Sequence, residues 1–161
     1  MPGQATVSIR DKQWSVSVAS TFTELASGLS GVESIPANTG VLFDLGIDEN
    51  SIQINMLQML FPLDIIFINS AQAGVVGVMS NVQPGCTDVR FEATTIPGAR
   101  FFLEVNAGEA LGIEDGDLVN IQGYPQASAP QISFTTMLLI GLVAGMMANI
   151  FQTITHEVGR R

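Results

Sequence analysis

Basic residues are scarce in this chain. Six Lys and Arg stand against fifteen Asp and Glu in 161 residues, a formal net charge of −9. Over residues 1–130 the imbalance is four against fourteen, a net charge of −10. Nucleic acid is held through Lys and Arg that neutralise phosphates, so no nucleic-acid partner is expected. The acidic surface serves solubility instead. Cysteine is limited to Cys86, which excludes an intrachain disulfide and any Cys-rich metal centre. It lies between Gly85 and Thr87 in a turn with no adjacent His, and reads as an inert loop thiol. Histidine is limited to His156, beyond the longest apolar run. A Ser-His-Asp or Cys-His set would need one inside the domain, so those mechanisms are out. No Gly-rich loop opens a helix as a phosphate cradle, and no cofactor is expected. The first residues, Met1 to Thr6, lack the charged start and apolar run of a secretory signal.

The densest feature is Met56 to Ile68, with ten apolar residues in thirteen positions and Asp64 as the one charge. A Pro62-Leu63-Asp64 step divides it. Ile65 to Ile68 is too short for a helix and rich in strand formers, so a buried strand is expected there. An Asp entering such a strand must find hydrogen-bond partners or keep water.

Around this hub the chain alternates short strands with turns. Thr6–Ile9 and Gln13–Val18 alternate apolar and polar residues about a tight Asp11-Lys12 hairpin. Phe22, Leu25, Ala26 and Leu29 fall at helical spacing, and Thr21 with Glu24 fits a capping box, predicting a short amphipathic helix. Val41–Phe43, Ser51–Leu57, Val75–Val82, a weaker piece between Phe91 and Ile96, Arg100–Asn106 and Leu118–Ile121 read as further strands. Asp48-Glu49-Asn50 breaks the pattern, and Ala107–Leu111 reads as one helical turn. Eight or nine short strands with one or two small helices, and no internal repeat, predict a mainly β domain: a compact sandwich or barrel over residues 1–122.

Residues 123–131 form an uncharged Pro/Ala/Ser linker. From Ile132 to Thr155 there are 24 residues without a charge. As a helix this run spans roughly 36 Å, enough for a hydrocarbon core of about 30 Å. A single C-terminal transmembrane helix is therefore expected over 132–158, with a short basic end at 159–161. Gly141, Gly145, Ala148, Asn149 and Gln152 share one helical face, continued by His156. Gly-x-x-x-Gly extended by Asn and Gln is how helices pack in lipid, so this face is expected to meet a copy of itself or another membrane subunit. Arg160 and Arg161 favour a cytoplasmic C-terminus by the charge rule, whereas a span so near the end suits a tail anchor with its domain in the cytoplasm. The side of the membrane stays open.

Glu24-Leu-Ala-Ser-Gly-Leu29, Gly40-Val-Leu-Phe43, Met56 with Pro62-Leu-Asp-Ile-Ile-Phe67, Leu103-Glu-Val-Asn-Ala-Gly108, Gly112-Ile113 and Gly116-Asp117 occur in an order that resembles the uncharacterised family catalogued as domain of unknown function 192. The resemblance covers about residues 6–122. It implies a compact β domain of jelly-roll-like character, often exported or membrane-attached, and brings no established reaction. Family members usually carry a Trp-Met-Lys-Asn-like step before Pro-Leu-Asp; here Asn55, Met56, Leu57 and Gln58 stand there, without the aromatic or the base. The family's Pro-Cys motif is reduced to Pro84-Gly85-Cys86, and the C-terminal segment lies outside the resemblance.

For chemistry, the candidate ligand-binding residues are Asp64 and Glu104, supported by Asn106 and Gln58. Glu104 and Asn106 lie two apart on one strand and share a face. Asp115 and Asp117 offer oxygen ligands that suit a hard cation such as calcium. The alternative is that Asp64, Glu104 and Asn106 cap turns and satisfy backbone groups. The first expectation for function is a non-enzymatic, membrane-anchored structural or accessory subunit of a larger assembly, in a cellular membrane or a membrane-containing virus particle. The second is a small-ligand or carbohydrate-binding module near Asp64 and Glu104. A hydrolase using the same carboxylates is the third.

Overall fold

The computed structural model describes residues 3–71, 73–94 and 98–124. The expected linker beyond Tyr124, the membrane helix with its packing face, Ile96 and His156 lie outside the described residues. Among the described residues no helix is long and apolar enough to cross a membrane.

The described chain is mainly β, with nine strands and one short helix. In order they are β1 Gly3–Ile9, β2 Lys12–Ala19, α1 Phe22–Ser27, β3 Thr39–Glu49, β4 Ser51–Ile54, β5 Leu63–Ile68, β6 Val75–Val82, β7 Val89–Glu92, β8 Ala99–Asn106 and β9 Val119–Gln122. Seven strands form one sheet in the order β6-β5-β8-β3-β2-β1-β9, and β4 pairs with β7 separately. The large sheet curls into a half-barrel. Its outer strands meet at one end, where Val75 N–H donates to Asp117 O at 2.9 Å and Val119 N–H to Ala73 O at 2.7 Å. Pairing is antiparallel except between β2 and β3, which run parallel because the chain crosses over through α1. That crossover separates the fold from a jelly roll made of hairpins and Greek keys alone.

Both faces of the central strands are covered. Leu42, Ile66, Ile68, Leu103 and Val105 join Val7, Trp14 and Val16 in one core. Val41, Phe43, Ile65, Phe67 and Phe102 join Ile52, Ile54, Met56 and Phe91 in a second core beneath β4 and β7. Strands buried on both faces read as continuous apolar runs, which is why the hub lacks the alternation of β1 and β2. All six residues of β5 are buried.

Aromatic rings tie the second core across strands. Phe43 stacks on its cross-strand partner Phe102 with centroids 4.3 Å apart and planes 8° from parallel. Phe67, in register with Phe102, stacks on Phe91 at 4.3 Å. Gly77 permits the second stack, since a Cβ there would lie 2.8 Å from Cε2 of Phe91.

Three local expectations are corrected. The strand at Val41–Phe43 extends from Thr39 to Glu49, through Asp44 and Asp48. Asp44 is tolerated because Arg100 neutralises it, and a register shift with positive φ at Gly46 absorbs the irregular stretch. The capped helix forms, but Phe22 and Ala26 are exposed, so packing falls to Leu25 and to Leu29 beyond its end. Residues 107–112 are successive turns, not a helical turn.

Candidate functional site

The hub carboxyl is consumed by backbone. Asp64 is 1% exposed, and its Oδ2 accepts 2.8 Å hydrogen bonds from the N–H groups of Gly108 and Ala110, while Oδ1 accepts one of 2.8 Å from Asn81 N–H. Three donors answer the desolvation of a buried carboxyl and fix the turn after β8. Asn106 serves the same region: its amide donates to the carbonyls of Ile35 and Pro36 and to Glu109. Glu109 in turn accepts from the buried Trp14 Nε1 at 2.6 Å and from Asn38 N–H at 3.0 Å. Asp64 and Asn106 thus satisfy turns, the second role the sequence allowed them.

Glu104 differs. It is 6% exposed on β8, in register with Val41 on one side and Ile65 on the other. Those partners place it on the face of the second core, among apolar side chains, and no hydrogen bond or ion pair reaches its carboxyl from the described residues. Burial alone pushes it up to about 7 from an ordinary 4.5. Among the described residues no sealed side-chain N or O lacks a partner, so the carboxyl oxygens of Glu104 border open space.

That space is a cavity of about 280 Å³ between α1, β4 and the sheet. Glu104, Phe43 and Phe102 come from the sheet, Ser27 and Leu29 from α1 and its exit, and Gln53, Asn55 and Met59 from β4 and the loop after it. Gly28, which caps α1 with φ +45°, lets the helix end approach Phe43, whose Cζ would lie 2.9 Å from a Cβ. The result is a chamber of mixed character, open to solvent, with aromatic and aliphatic side chains, amide and hydroxyl groups and one carboxyl on its wall, close to the size at which ligand pockets begin.

Of the four candidate ligand residues, only Glu104 lines this cavity. Gln58 is exposed on the loop and contributes its carbonyl to Gly31 N–H. Asp64 and Glu104 do not share a site: Asp64 pairs with Val105 and faces the first core, so the two carboxyls lie on opposite faces. Asp117 accepts from Arg10 and from Glu114 N–H, and among the described residues no cluster of three or more metal-ligating side chains forms around it or Asp115. Ser27, Gln53 and Asn55 were missed in the sequence, where short polar residues between apolar positions look like any solvated strand or turn. Asn55 occupies the first position of the step at which this chain departs from the resemblance, and that position lies on the cavity wall.

The family model for domain of unknown function 192, described as an uncharacterized ACR, matches residues 5–121. No curated protein matches the chain. A crystal structure from Sinorhizobium meliloti 1021, described as a proposed transcription regulator, matches with a TM-score of 0.64 at 24% identity, covering 77% of this chain and 96% of that one. A protein of unknown function from Novosphingobium aromaticivorans matches with a TM-score of 0.62 at 26% identity, covering 73% and 83%. These likenesses establish a shared fold.

Proposed function

This chain belongs to the family of domain of unknown function 192, and from that premise we propose that it is a non-enzymatic module that binds a small ligand in the Glu104 cavity. The observation that carries the reading is a buried carboxyl without a partner among the described residues, bordering a chamber on whose wall the described residues place no competing charge. An unanswered buried carboxyl costs stability, and a fold that keeps one beside a cavity has a use for it. Opposite placement of Asp64 and Glu104 supports binding over a hydrolysis that would pair these two carboxylates. The test is mass spectrometry of small molecules released on denaturing the purified full-length chain. A molecule held by the wild type and absent from Glu104→Gln is expected; identical profiles count against a ligand site.

A second reading concerns where the module works. The uncharged run from Ile132 to Thr155, with Gly141, Gly145, Ala148, Asn149 and Gln152 on one helical face, supports a membrane anchor that joins the domain to an assembly as an accessory or structural subunit. A cellular membrane complex and a membrane-containing virus particle both fit. Resistance of the full-length chain to alkaline carbonate extraction is the expected result, and its release into the supernatant contradicts the anchor.

A further inference from the structure

We propose that the Glu104 cavity takes a small organic cation, an ammonium head on an apolar body, with the head at the Glu104 carboxyl and the body against Phe43, Phe102 and Met59. The assignment rests on the reading of this cavity as a ligand site. It names the ligand's charge.

The first argument is what surrounds the carboxyl. Ser27, Phe43, Gln53, Asn55, Met59 and Phe102 face it from α1, β3, β4, the loop and β8, and none of them titrates. Glu24, the one charged residue of α1, is turned back to the Ser20 and Thr21 N–H groups. Among the described residues no Lys, Arg or His lines the cavity, so a phosphate or carboxylate ligand would meet Glu104 as the one charged group there and be repelled. An ammonium meets a largely buried carboxylate with no opposing cation on the cavity wall, and a charge-assisted hydrogen bond is roughly twice as strong as a neutral one.

The walls supply the second argument. Phe43 and Phe102 line the chamber as a stacked pair, and the negative potential of aromatic faces attracts cations. The Ser27 hydroxyl provides an oxygen that accepts from such a head, whereas the side-chain oxygens of Gln53 and Asn55 already accept from Arg90 and from Leu57 N–H. The third is the long-range field: residues 1–130 carry net −10, which steers cations inward and anions away.

Binding has a proton signature. Where Glu104 is protonated, an arriving ammonium displaces that proton to solvent and pairs with the carboxylate left behind. Affinity therefore falls as pH drops through about 7. Between pH 8 and pH 6 the expected loss is about tenfold.

The experiment is calorimetric titration of the full-length chain in mild detergent with three matched probes: benzylammonium, benzyl alcohol and benzoate. Expected is benzylammonium binding at pH 8 at least tenfold tighter than either congener, about tenfold weaker at pH 6, and at least tenfold weaker in Glu104→Gln. The substitution is near-isosteric, and the pH profile of the unaltered chain gives a reading that does not depend on the variant folding. Benzyl alcohol binding as tightly as benzylammonium, or a flat pH profile, overturns the cation while leaving the ligand site standing. No heat from benzylammonium at pH 8 also overturns it, and the ligand site falls too if no Glu104-dependent small molecule is released on denaturation.

Discussion

Asp64 and Glu104 sit on hydrogen-bonded neighbouring strands one register step apart, yet point to opposite faces of the sheet. The pleat decides this: partners across a ladder share a face, and successive residues alternate. Asp64 shares its face with Val105 and finds three N–H donors, whereas Glu104 shares its face with Ile65 and finds none among the described residues. Two carboxyls that look equivalent along the chain thus do different work, one in the scaffold and one at a cavity.

Asp64→Ala is expected to destabilise the domain by about 2–4 kcal/mol, because it strands the N–H groups of Asn81, Gly108 and Ala110 in the interior. Urea denaturation followed by Trp14 fluorescence measures this. Loss below about 0.5 kcal/mol would mean that the turn after β8 does not need its carboxyl.

Glu104→Gln is expected to do the reverse at alkaline pH. A carboxyl raised from 4.5 to about 7 is penalised as an anion only in the folded state. The stability that protonated Glu104 retains is fully present below the unfolded value of 4.5 and lost as pH rises through about 7. The loss is on the order of 3 kcal/mol, so the variant should gain on the wild type between pH 5 and pH 8. Urea midpoints of both proteins at the two pH values give the difference. A gap that stays constant with pH would place Glu104 in water.

Parts of this fold were legible because their causes are local. The Thr21–Glu24 capping box spans four residues and forms as read, with both reciprocal hydrogen bonds. The β1–β2 hairpin and the buried Ile65–Ile68 strand follow from composition within a few residues. The turn, however, falls at Arg10-Asp11, one residue before the expected Asp11-Lys12, and Lys12 opens β2 opposite Ile9. What stayed hidden depends on distant partners. The strand read as Val41–Phe43 continues through Asp44 because Arg100, 56 positions away, supplies its counter-charge. Glu104 and Asp64 were singled out, but their separation to opposite faces depends on the β5–β8 register, which no short window carries. The cavity wall joins residues from α1, β4 and two sheet strands, and only the crossover through α1 brings them together.

The Asp44–Arg100 pair should be costly to break from one side. Arg100 Nε and NH2 donate to Oδ1 and Oδ2 of Asp44 at 2.8 and 2.9 Å, with side chains only 11% and 5% exposed. Burial opposes the Asp44 charge, but hydrogen bonds from Arg100, Gly46 N–H and the Tyr124 hydroxyl outweigh it and hold the carboxyl below its ordinary value. Arg100→Met leaves the carboxylate buried with two weaker donors and should cost about 3–5 kcal/mol at neutral pH. A group with a depressed folded value contributes above its unfolded value of 3.8 and loses that contribution as pH falls through the folded value. The gap between wild type and Arg100→Met, read from urea midpoints, should therefore narrow in acid. A gap that is equal at pH 7 and pH 3 would mean lost packing, not lost charge, dominates.

The tail prediction separates anchoring from assembly. Gly141 and Gly145 are four residues apart, one helical turn, so side chains larger than hydrogen at both would keep a neighbouring helix at a distance. Gly141→Leu and Gly145→Leu add apolar surface, leaving membrane affinity intact or raised. The variants should therefore stay with the membrane fraction while their detergent-solubilised particles become smaller than those of the wild type. Light scattering coupled to size exclusion reads this directly. Particles of unchanged size would show that the Gly face does not meet a partner. Deleting 132–161 should abolish membrane association altogether, and a truncated chain that still sediments with membranes would place the attachment in the β domain.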